Sequence, residues 1–230
     1  LWGDHGIFTT MWIFGKPAKI LFFDNHIKNL IRSLKSYGIT KKSLKTDILK
    51  LINKNLSKNK NYNHLLRVAL NKKIISISLR NRIKPKLDFN LKLVKLKREN
   101  PKYKNLKYKK ILSYLSKLDN SKSDIGLIFN KKILETGTSN LLFIKNNKVF
   151  TPKKDYYEGT TFKFFKHKIK KIIKKDILLK ELKSYEEIIL VGSGKGVASV
   201  KNIKEVNWKR KSLYKFKIFS KYYKSVIKNC

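Results

Sequence analysis

The sequence predicts an α+β protein of two domains, and three observations lead to this prediction. First, 230 residues with 41% apolar content can form a sizeable hydrophobic core. Second, stretches with apolar residues at helical spacing are interspersed with stretches rich in β-branched and aromatic residues. Third, the run Arg-Glu-Asn-Pro at 98–101 interrupts this pattern. We therefore predict a smaller N-terminal α+β domain at 1–98, a linker at 99–103 and a larger, β-rich domain at 104–230.

The N-terminal domain is predicted to begin with a β-hairpin that leads into a helix. Residues 7–13 and 19–23 are rich in β-branched and aromatic side chains, and Gly-Lys-Pro at 15–17 is a turn sequence between them. Asp24 is the candidate N-cap of the helix, and Gly38 is the candidate residue that closes it. A second helix is predicted at 41–58, and strands are predicted at 63–70, 73–80 and 87–96.

The C-terminal domain is predicted to contain more strands than helices. Its helices are expected at 104–118, 160–175 and 212–228. Its strands are expected at 124–129, 141–145, 148–151, 188–192 and 197–206, with a glycine-rich turn at 192–196.

The chain carries a formal net charge of +41, from 56 Lys and Arg against 15 Asp and Glu. Of the basic residues 50 are Lys and 6 are Arg, and the lysines are scattered over nearly every segment. With the many Ile, Asn, Phe and Tyr, this is typical of an A+T-rich coding sequence, whereas phosphate-binding proteins favour arginine for its bidentate fork. We therefore do not predict a nucleic-acid partner, although Lys, Tyr and Phe interleaved in 212–223 keep nucleic-acid binding as an alternative.

Cys230 is the single cysteine, which excludes an intramolecular disulfide and a cysteine-based metal site. This cysteine usage favours a reducing, cytoplasmic compartment. Charged residues interrupt every window of about 18 residues, so no membrane-spanning segment is predicted. Residues 1–23 also lack the pattern of a secretory signal peptide.

Four separated segments, taken together, indicate a known enzyme family. They are Gly3–Thr10 (GDHGIFTT), Tyr103–Tyr108 (YKNLKY), Glu135–Phe143 (ETGTSNLLF) and Thr151–Thr161 (TPKKDYYEGTT). In this order and spacing they resemble the class IV, or fold-type IV, pyridoxal-phosphate enzymes, which include branched-chain and D-amino-acid aminotransferases and aminodeoxychorismate lyase. The resemblance covers nearly the whole chain. It implies a fold like that of D-amino-acid aminotransferase, pyridoxal 5′-phosphate in an interdomain cleft, and a homodimer.

The resemblance implies that a lysine just after the linker forms the Schiff base with the cofactor. Lys104, followed by Leu106 and Tyr108, fits the family context best, and Lys107 remains an alternative. Such a lysine must be neutral when it attacks, which requires burial or nearby positive charge. Tyr108 is then expected to hydrogen-bond the phenolic oxygen of the cofactor ring.

The remaining cofactor contacts are likewise implied by the resemblance. Glu135 matches the carboxylate that pairs with the pyridine nitrogen and keeps the ring protonated. Free N–H groups at a helix start, with hydroxyls beside them, bind a phosphate dianion well. The residues expected to form this phosphate site are Gly159, Thr160, Thr161, Gly192 and Ser193.

The sequence departs from the family pattern in three places. Asn29 stands where an arginine of the family reaches the phosphate, and Arg32 is one turn away on the predicted helix. His5 resembles an insertion into the family's Gly-Asp-Gly pattern. The strand that precedes this pattern in the family is absent, so we expect an upstream piece to be missing.

Within the family, the short length and the Phe-Thr-Thr run at 8–10 are most like aminodeoxychorismate lyase. That enzyme eliminates pyruvate from 4-amino-4-deoxychorismate to give 4-aminobenzoate for folate synthesis. Thr9, Thr10 and Arg67 are the candidate contacts to this small amino substrate. The alternative is a class IV aminotransferase that acts on branched-chain or D-amino acids with 2-oxoglutarate.

Overall fold

The computed structural model describes residues 1–230, which form two compact units. The smaller unit contains residues 1–82, 103–109 and 230, and the larger contains 83–102 and 110–229. This division differs from the boundaries predicted from the sequence. Residues 83–98 belong to the larger unit because their strand pairs within its sheet, whereas 103–109 belong to the smaller unit.

The smaller unit consists of a four-stranded antiparallel sheet and two helices. The sheet order is β2-β1-β3-β4. One face of the sheet packs against both helices through a core of aliphatic side chains that includes Ile7, Met11, Val68 and Leu70. The elements are β1 (Gly6–Gly15), β2 (Lys19–Ile20), α1 (Phe23–Ser36), α2 (Leu44–Asn55), β3 (Tyr62–Asn71) and β4 (Ile75–Asn81).

The two ends of α1 test the predicted caps differently. The prediction for Gly38 is confirmed: its φ is +67°, and the N–H of Ile39 donates to the carbonyl of Leu34, as in a Schellman motif. The prediction for Asp24 as N-cap is wrong, because the helix already begins at Phe23 and Phe22 precedes it in the left-handed region. Asp24 instead lies in the first turn and pairs with Lys45 at 2.9 Å, which lowers the pKa of its carboxyl group.

The larger unit is built on a ten-stranded sheet with the order β10-β9-β8-β12-β13-β5-β6-β7-β11, and β14 pairs with β13. Its core contains large side chains such as Phe89, Phe143, Tyr185 and Trp208. The strands are β5 (Phe89–Lys95), β6 (Ser123–Phe129), β7 (Lys132–Thr136), β8 (Asn140–Lys145), β9 (Lys148–Pro152), β10 (Ile172–Lys175), β11 (Ile177–Leu178), β12 (Glu187–Gly192), β13 (Gly196–Ile203) and β14 (Trp208–Lys209). The helices are α3 (Lys109–Leu115), α4 (Thr160–Lys168) and α5 (Tyr214–Lys228), with 3₁₀ turns at Leu179–Ser184 and Lys204–Val206.

Two predicted helices are too long. The prediction of a helix at 104–118 fails over its first turn, because 104–106 is extended and α3 begins only at Lys109. The predicted helix 160–175 ends at Lys168, and residues 172–175 form β10, which pairs in parallel with β9. The mixture of helices and strands confirms the predicted α+β class. None of the helices combines the length and the apolar character needed to cross a membrane.

Candidate functional site

Lys104 lies at the edge of the small sheet, beside the N-terminal half of β1. Asn105 bridges to Ile7 in antiparallel fashion, and the N–H of Phe8 donates to the carbonyl of Lys104 at 2.8 Å. Lys104 and Phe8 therefore share one face of the sheet, with the lysine Nζ 5.2 Å from the centre of the Phe8 ring. Lys104 is half-buried, whereas the alternative, Lys107, is exposed. Lys104 is thus the less accessible of the two, and the choice between them as the cofactor-binding lysine stays a prediction.

Thr9 points to the opposite, helix-covered face of the sheet. Its Oγ1 shares a hydrogen bond of 2.7 Å with Nδ1 of His26 on α1, and both residues are buried. Burial, followed by the positive charge of Lys104, lowers the pKa of His26 to about 3. The imidazole is therefore neutral near pH 7. The Thr9 hydroxyl is engaged with α1, and its predicted contact with substrate stays a prediction.

Thr10 and Arg67 are brought together on the face of the sheet that the helices leave uncovered. They are directly opposite each other in the pairing of β1 with β3. The guanidinium carbon of Arg67 lies 4.7 Å from the centre of the Trp2 ring. Burial lowers the pKa of Arg67, and the positive charge of Arg80 makes a smaller contribution in the same direction. The arginine is thus half-buried and is held by an aromatic face.

Tyr108 and Trp2 form an aromatic cluster with Phe8. Tyr108 is buried, stacks on Trp2 with ring centres 5.7 Å apart, and meets Phe8 edge-on at 5.4 Å. Sequence reasoning selected Tyr108 but missed Trp2. Trp2 could have been selected from its position in the sequence, because it directly precedes the Gly-Asp element that carries the resemblance.

Glu135 lies near the end of β7 in the larger unit and forms a buried, bidentate ion pair with Arg98. The guanidinium Nε lies 2.9 Å from Oε1, and Nη2 lies 3.0 Å from Oε2, with both side chains at most 4% exposed. Two parallel charge-assisted hydrogen bonds favour the ionised carboxylate and fix its plane. Arg98 was predicted only as part of the break before the linker. The sequence feature that could have identified Arg98 is its residue type, because few positions in this lysine-rich chain have an arginine with its planar guanidinium.

Asn140 connects Glu135 to the start of α4. Its side-chain Nδ2 donates to the carbonyl of Tyr157 at 2.6 Å, and its Oδ1 accepts from the N–H of Gly159 at 3.0 Å. The N–H of Tyr157 in turn donates to Oε2 of Glu135 at 3.5 Å. The Ser-Asn-Leu element that follows Glu135 therefore positions the Glu-Gly-Thr-Thr segment.

The first turn of α4 has the features of an anion site. Gly159 is the N-cap, and no side chain caps the helix. Thr160 and Thr161 are buried, and the Thr161 hydroxyl has no hydrogen-bond partner although its oxygen is inaccessible. A buried hydroxyl without a partner is costly, and helix N-termini attract anions. The Thr161 hydroxyl and the start of α4 therefore fit a phosphate group, whereas the N–H of Gly159 is already bound to Asn140.

Gly192 ends β12 where a neighbouring turn approaches closely. A Cβ at this position would lie 2.8 Å from the Ser139 hydroxyl oxygen, so glycine is required by packing. The neighbouring turn is fixed by the buried Asp124, which accepts a hydrogen bond of 2.6 Å from the Thr138 hydroxyl. Ser193 lies in the half-buried turn that follows. The predicted phosphate role of both residues stays a prediction.

The structure also places Asn29 and Arg32 on α1, and Glu158 in the Glu-Gly-Thr-Thr segment. Asn29 is buried and carries no charge, and Arg32 is exposed. Burial alone would raise the pKa of Glu158, but Lys174 at 2.7 Å and Lys166 at 3.2 Å outweigh it and lower that pKa. Glu158 thus ties α4 to β10.

Comparisons with known proteins relate this geometry to a family. Residues 6–203 match the family model for amino-transferase class IV. Comparison by sequence with curated proteins finds no match.

Several solved structures share the fold at low sequence identity. A branched-chain aminotransferase from Thermoproteus uzoniensis with norvaline is 15% identical, with a TM-score of 0.78 over 96% of this chain and 85% of that chain. A protein provisionally assigned as 4-amino-4-deoxychorismate lyase from Legionella pneumophila is 17% identical, with a TM-score of 0.76 over 96% and 91%. The PLP-form of a branched-chain amino acid aminotransferase from Thermobaculum terrenum is 14% identical, with a TM-score of 0.76 over 98% and 86%.

Proposed function

Because the chain belongs to the class IV aminotransferases, a family of pyridoxal-phosphate-dependent enzymes, we propose that it binds pyridoxal 5′-phosphate and acts as an aminodeoxychorismate lyase. The proposed reaction eliminates pyruvate from 4-amino-4-deoxychorismate and leaves 4-aminobenzoate. When bound, the cofactor would supply an electron sink for the carbon that loses a proton.

The observation that carries the cofactor proposal is the buried pair of Glu135 with Arg98. A carboxylate that is held ionised and fixed in plane suits a protonated pyridine nitrogen. The buried Thr161 hydroxyl and the uncapped start of α4 suit the phosphate. Thr160 lies in the same first turn.

We propose Lys104 as the residue that carries the cofactor covalently and then transfers the substrate proton. Its half-buried position at the edge of the small sheet, on the same face as Thr10 and Arg67, supports this role, because the amine lies beside the residues proposed to bind the substrate. The exposed Lys107 lacks this support.

For the substrate, we propose that Arg67 binds a carboxylate, with Thr10 beside it. An arginine on an aromatic face keeps its N–H donors directed to a ligand, and carboxylates match its fork. The Phe-Thr-Thr run of β1 and the short chain favour the lyase. The second candidate, an aminotransferase for branched-chain or D-amino acids, is supported by the similarity of the fold to branched-chain aminotransferases.

We further propose a homodimer in the cytoplasm, which the family resemblance and the cysteine usage support. Light scattering of the purified protein should then give about twice the 27.1 kDa of one chain. A monomer at all concentrations would contradict the dimer.

The cofactor proposal is tested by an absorption spectrum with pyridoxal phosphate, then borohydride reduction and peptide mapping. We expect the reduced cofactor on Lys104. The variant Lys104→Ala should lose the labelled peptide, and the matched variant Lys107→Ala should keep it. Labelling of the Lys107 side chain, or of neither, would overturn the assignment.

The reaction proposal is tested by adding 4-amino-4-deoxychorismate without any 2-oxo acid. We expect one pyruvate for each 4-aminobenzoate. Consumption of 2-oxoglutarate with a branched-chain or D-amino acid, without pyruvate release from aminodeoxychorismate, would identify the aminotransferase instead.

A further inference from the structure

The larger unit contains a cavity of about 230 Å³ that is lined by none of the residues proposed for cofactor or substrate. It lies between the turn after β6, the end of β9 and the start of β11. Its apolar lining comes from strand residues, of which Phe129 is exposed and the others are buried: Phe129, Ile133, Leu134, Pro152 and Ile177.

The polar part of the wall carries an excess of positive charge. Lys97 pairs with Asp155 at 3.0 Å, and Lys132 pairs with Asp176 at 2.6 Å. These pairs use both acids of the wall. The adjacent Lys153 and Lys154 form neither of these two ion pairs. Their positive charges add to the larger effect of Lys132 in lowering the pKa of Asp176.

Cavity size and chemistry together restrict the ligand. Pockets for drug-sized molecules measure about 300–1,000 Å³, so this cavity accepts a ligand of about one ring. Phe129 is 46% exposed at the cavity, with Nζ of Lys97 at 5.3 Å from its ring centre. An exposed phenyl ring offers stacking to a flat ligand, and unneutralised lysines offer charge pairing to an anion.

We propose that this cavity binds a small aromatic carboxylate, whose ring stacks on Phe129 and whose anion faces Lys153 and Lys154. A phosphate would gain less here, because the cavity offers flexible point charges on an apolar floor and lacks a helix N-terminus or an arginine fork. The proposal concerns a second site and does not depend on the proposed reaction.

The test is equilibrium dialysis of the purified protein with radiolabelled benzoate at about 0.15 M salt, where long-range attraction to the cationic surface is screened. The double variant Lys153→Gln/Lys154→Gln should weaken binding about three- to tenfold, as expected for two exposed charge pairs. Both lysines are exposed, so the variant should fold. The matched variant Lys170→Gln/Lys171→Gln removes two adjacent exposed lysines that do not line the cavity and should bind normally.

Further measurements distinguish binding in this cavity from binding elsewhere on the protein. Phe129→Ala should weaken benzoate, and acetate should fail to compete because it has no ring. Equal weakening in both lysine double variants would show nonspecific charge binding and overturn the proposal. Loss of benzoate binding in Arg67→Lys alone, with the cavity variants unaffected, would assign it to the substrate site and also overturn the proposal.

Discussion

The two units hold their half-buried or buried cations in different ways. In the smaller unit the Arg67 guanidinium lies against the Trp2 ring, and Lys104 lies over Phe8. In the larger unit the Arg98 guanidinium is bound through two hydrogen bonds to Glu135. An aromatic face attracts a cation without using its N–H donors, whereas a bidentate carboxylate uses them. The N–H donors of Arg67 are therefore not used by its aromatic partner, whereas two of the N–H donors of Arg98 are used by Glu135.

The largest expected effect comes from breaking the pair in the larger unit. Arg98→Met leaves the Glu135 carboxylate buried without its partner, and we expect the free energy of unfolding in urea to fall by about 3–5 kcal/mol. Lys97→Met, which breaks a partly exposed pair with Asp155, should cost less than about 1 kcal/mol. Similar losses in both variants would contradict the difference in burial. The double variant Arg98→Met/Glu135→Met should recover much of the stability.

The next effect concerns the neutral imidazole of the smaller unit. Because the folded pKa of His26 is about 3, the unfolded chain binds a proton below about pH 6.5 and the folded chain does not. The free energy of unfolding is therefore highest above pH 6.5. Below that pH it falls by about 1.4 kcal/mol per pH unit, which amounts to about 2 kcal/mol at pH 5. Urea unfolding at pH 6.5 and 5 measures it, and His26→Gln should show a shallower dependence. Equal slopes would contradict a buried neutral imidazole.

A smaller effect is expected when Arg67, which lies against the Trp2 ring, is replaced. Arg67→Lys keeps the charge but loses the planar contact with Trp2 and the bidentate fork, so we expect KM for pyruvate release to rise about tenfold. The free energy of unfolding should change little. Arg82→Lys is the matched control, since Arg82 lies 4.0 Å from the Trp12 ring centre outside the proposed site. An equal rise in KM for both variants would argue against carboxylate binding by Arg67.

The smallest effect is expected at the partly exposed acid of the larger unit. Glu158→Gln removes the ion pairs with Lys166 and Lys174, and we expect a loss of about 0.5–1 kcal/mol in the free energy of unfolding. Cofactor binding, measured by absorbance titration, should remain. A loss as large as that of Arg98→Met would show that exposure does not govern the strength of these pairs.

Local sequence signals predicted the elements whose ends are set by nearby residues. The hairpin of β1 and β2 follows from its turn, and the end of α1 follows from Gly38, since the left-handed conformation there favours glycine. The alternation in β4 likewise gave a strand. In each case the stabilising partners lie within a few residues along the chain or in the adjacent strand.

The errors occur where a distant partner decides the conformation. Residues 104–106 precede α3 in the chain but pair with β1, and 172–175 follow α4 but pair with β9. Distant strands offer hydrogen bonds that short-range propensity does not describe. Lys104 and Glu135 were predicted from the sequence because their neighbours resemble a family, and their roles stay predictions. Arg98 and Trp2 were missed because their importance depends on contacts across the fold.

By itself, the sequence determined the α+β class, the membership in an enzyme family and the short list of lysines and acids that could serve it. It favoured Lys104 but left Lys107 open as an alternative, since both are lysines in one short segment. Only the tertiary structure decided that the former is half-buried against Phe8 and that Glu135 has a buried guanidinium as its partner. Burial and charge pairing depend on which segments, distant in the sequence, lie side by side, and only the tertiary structure shows this.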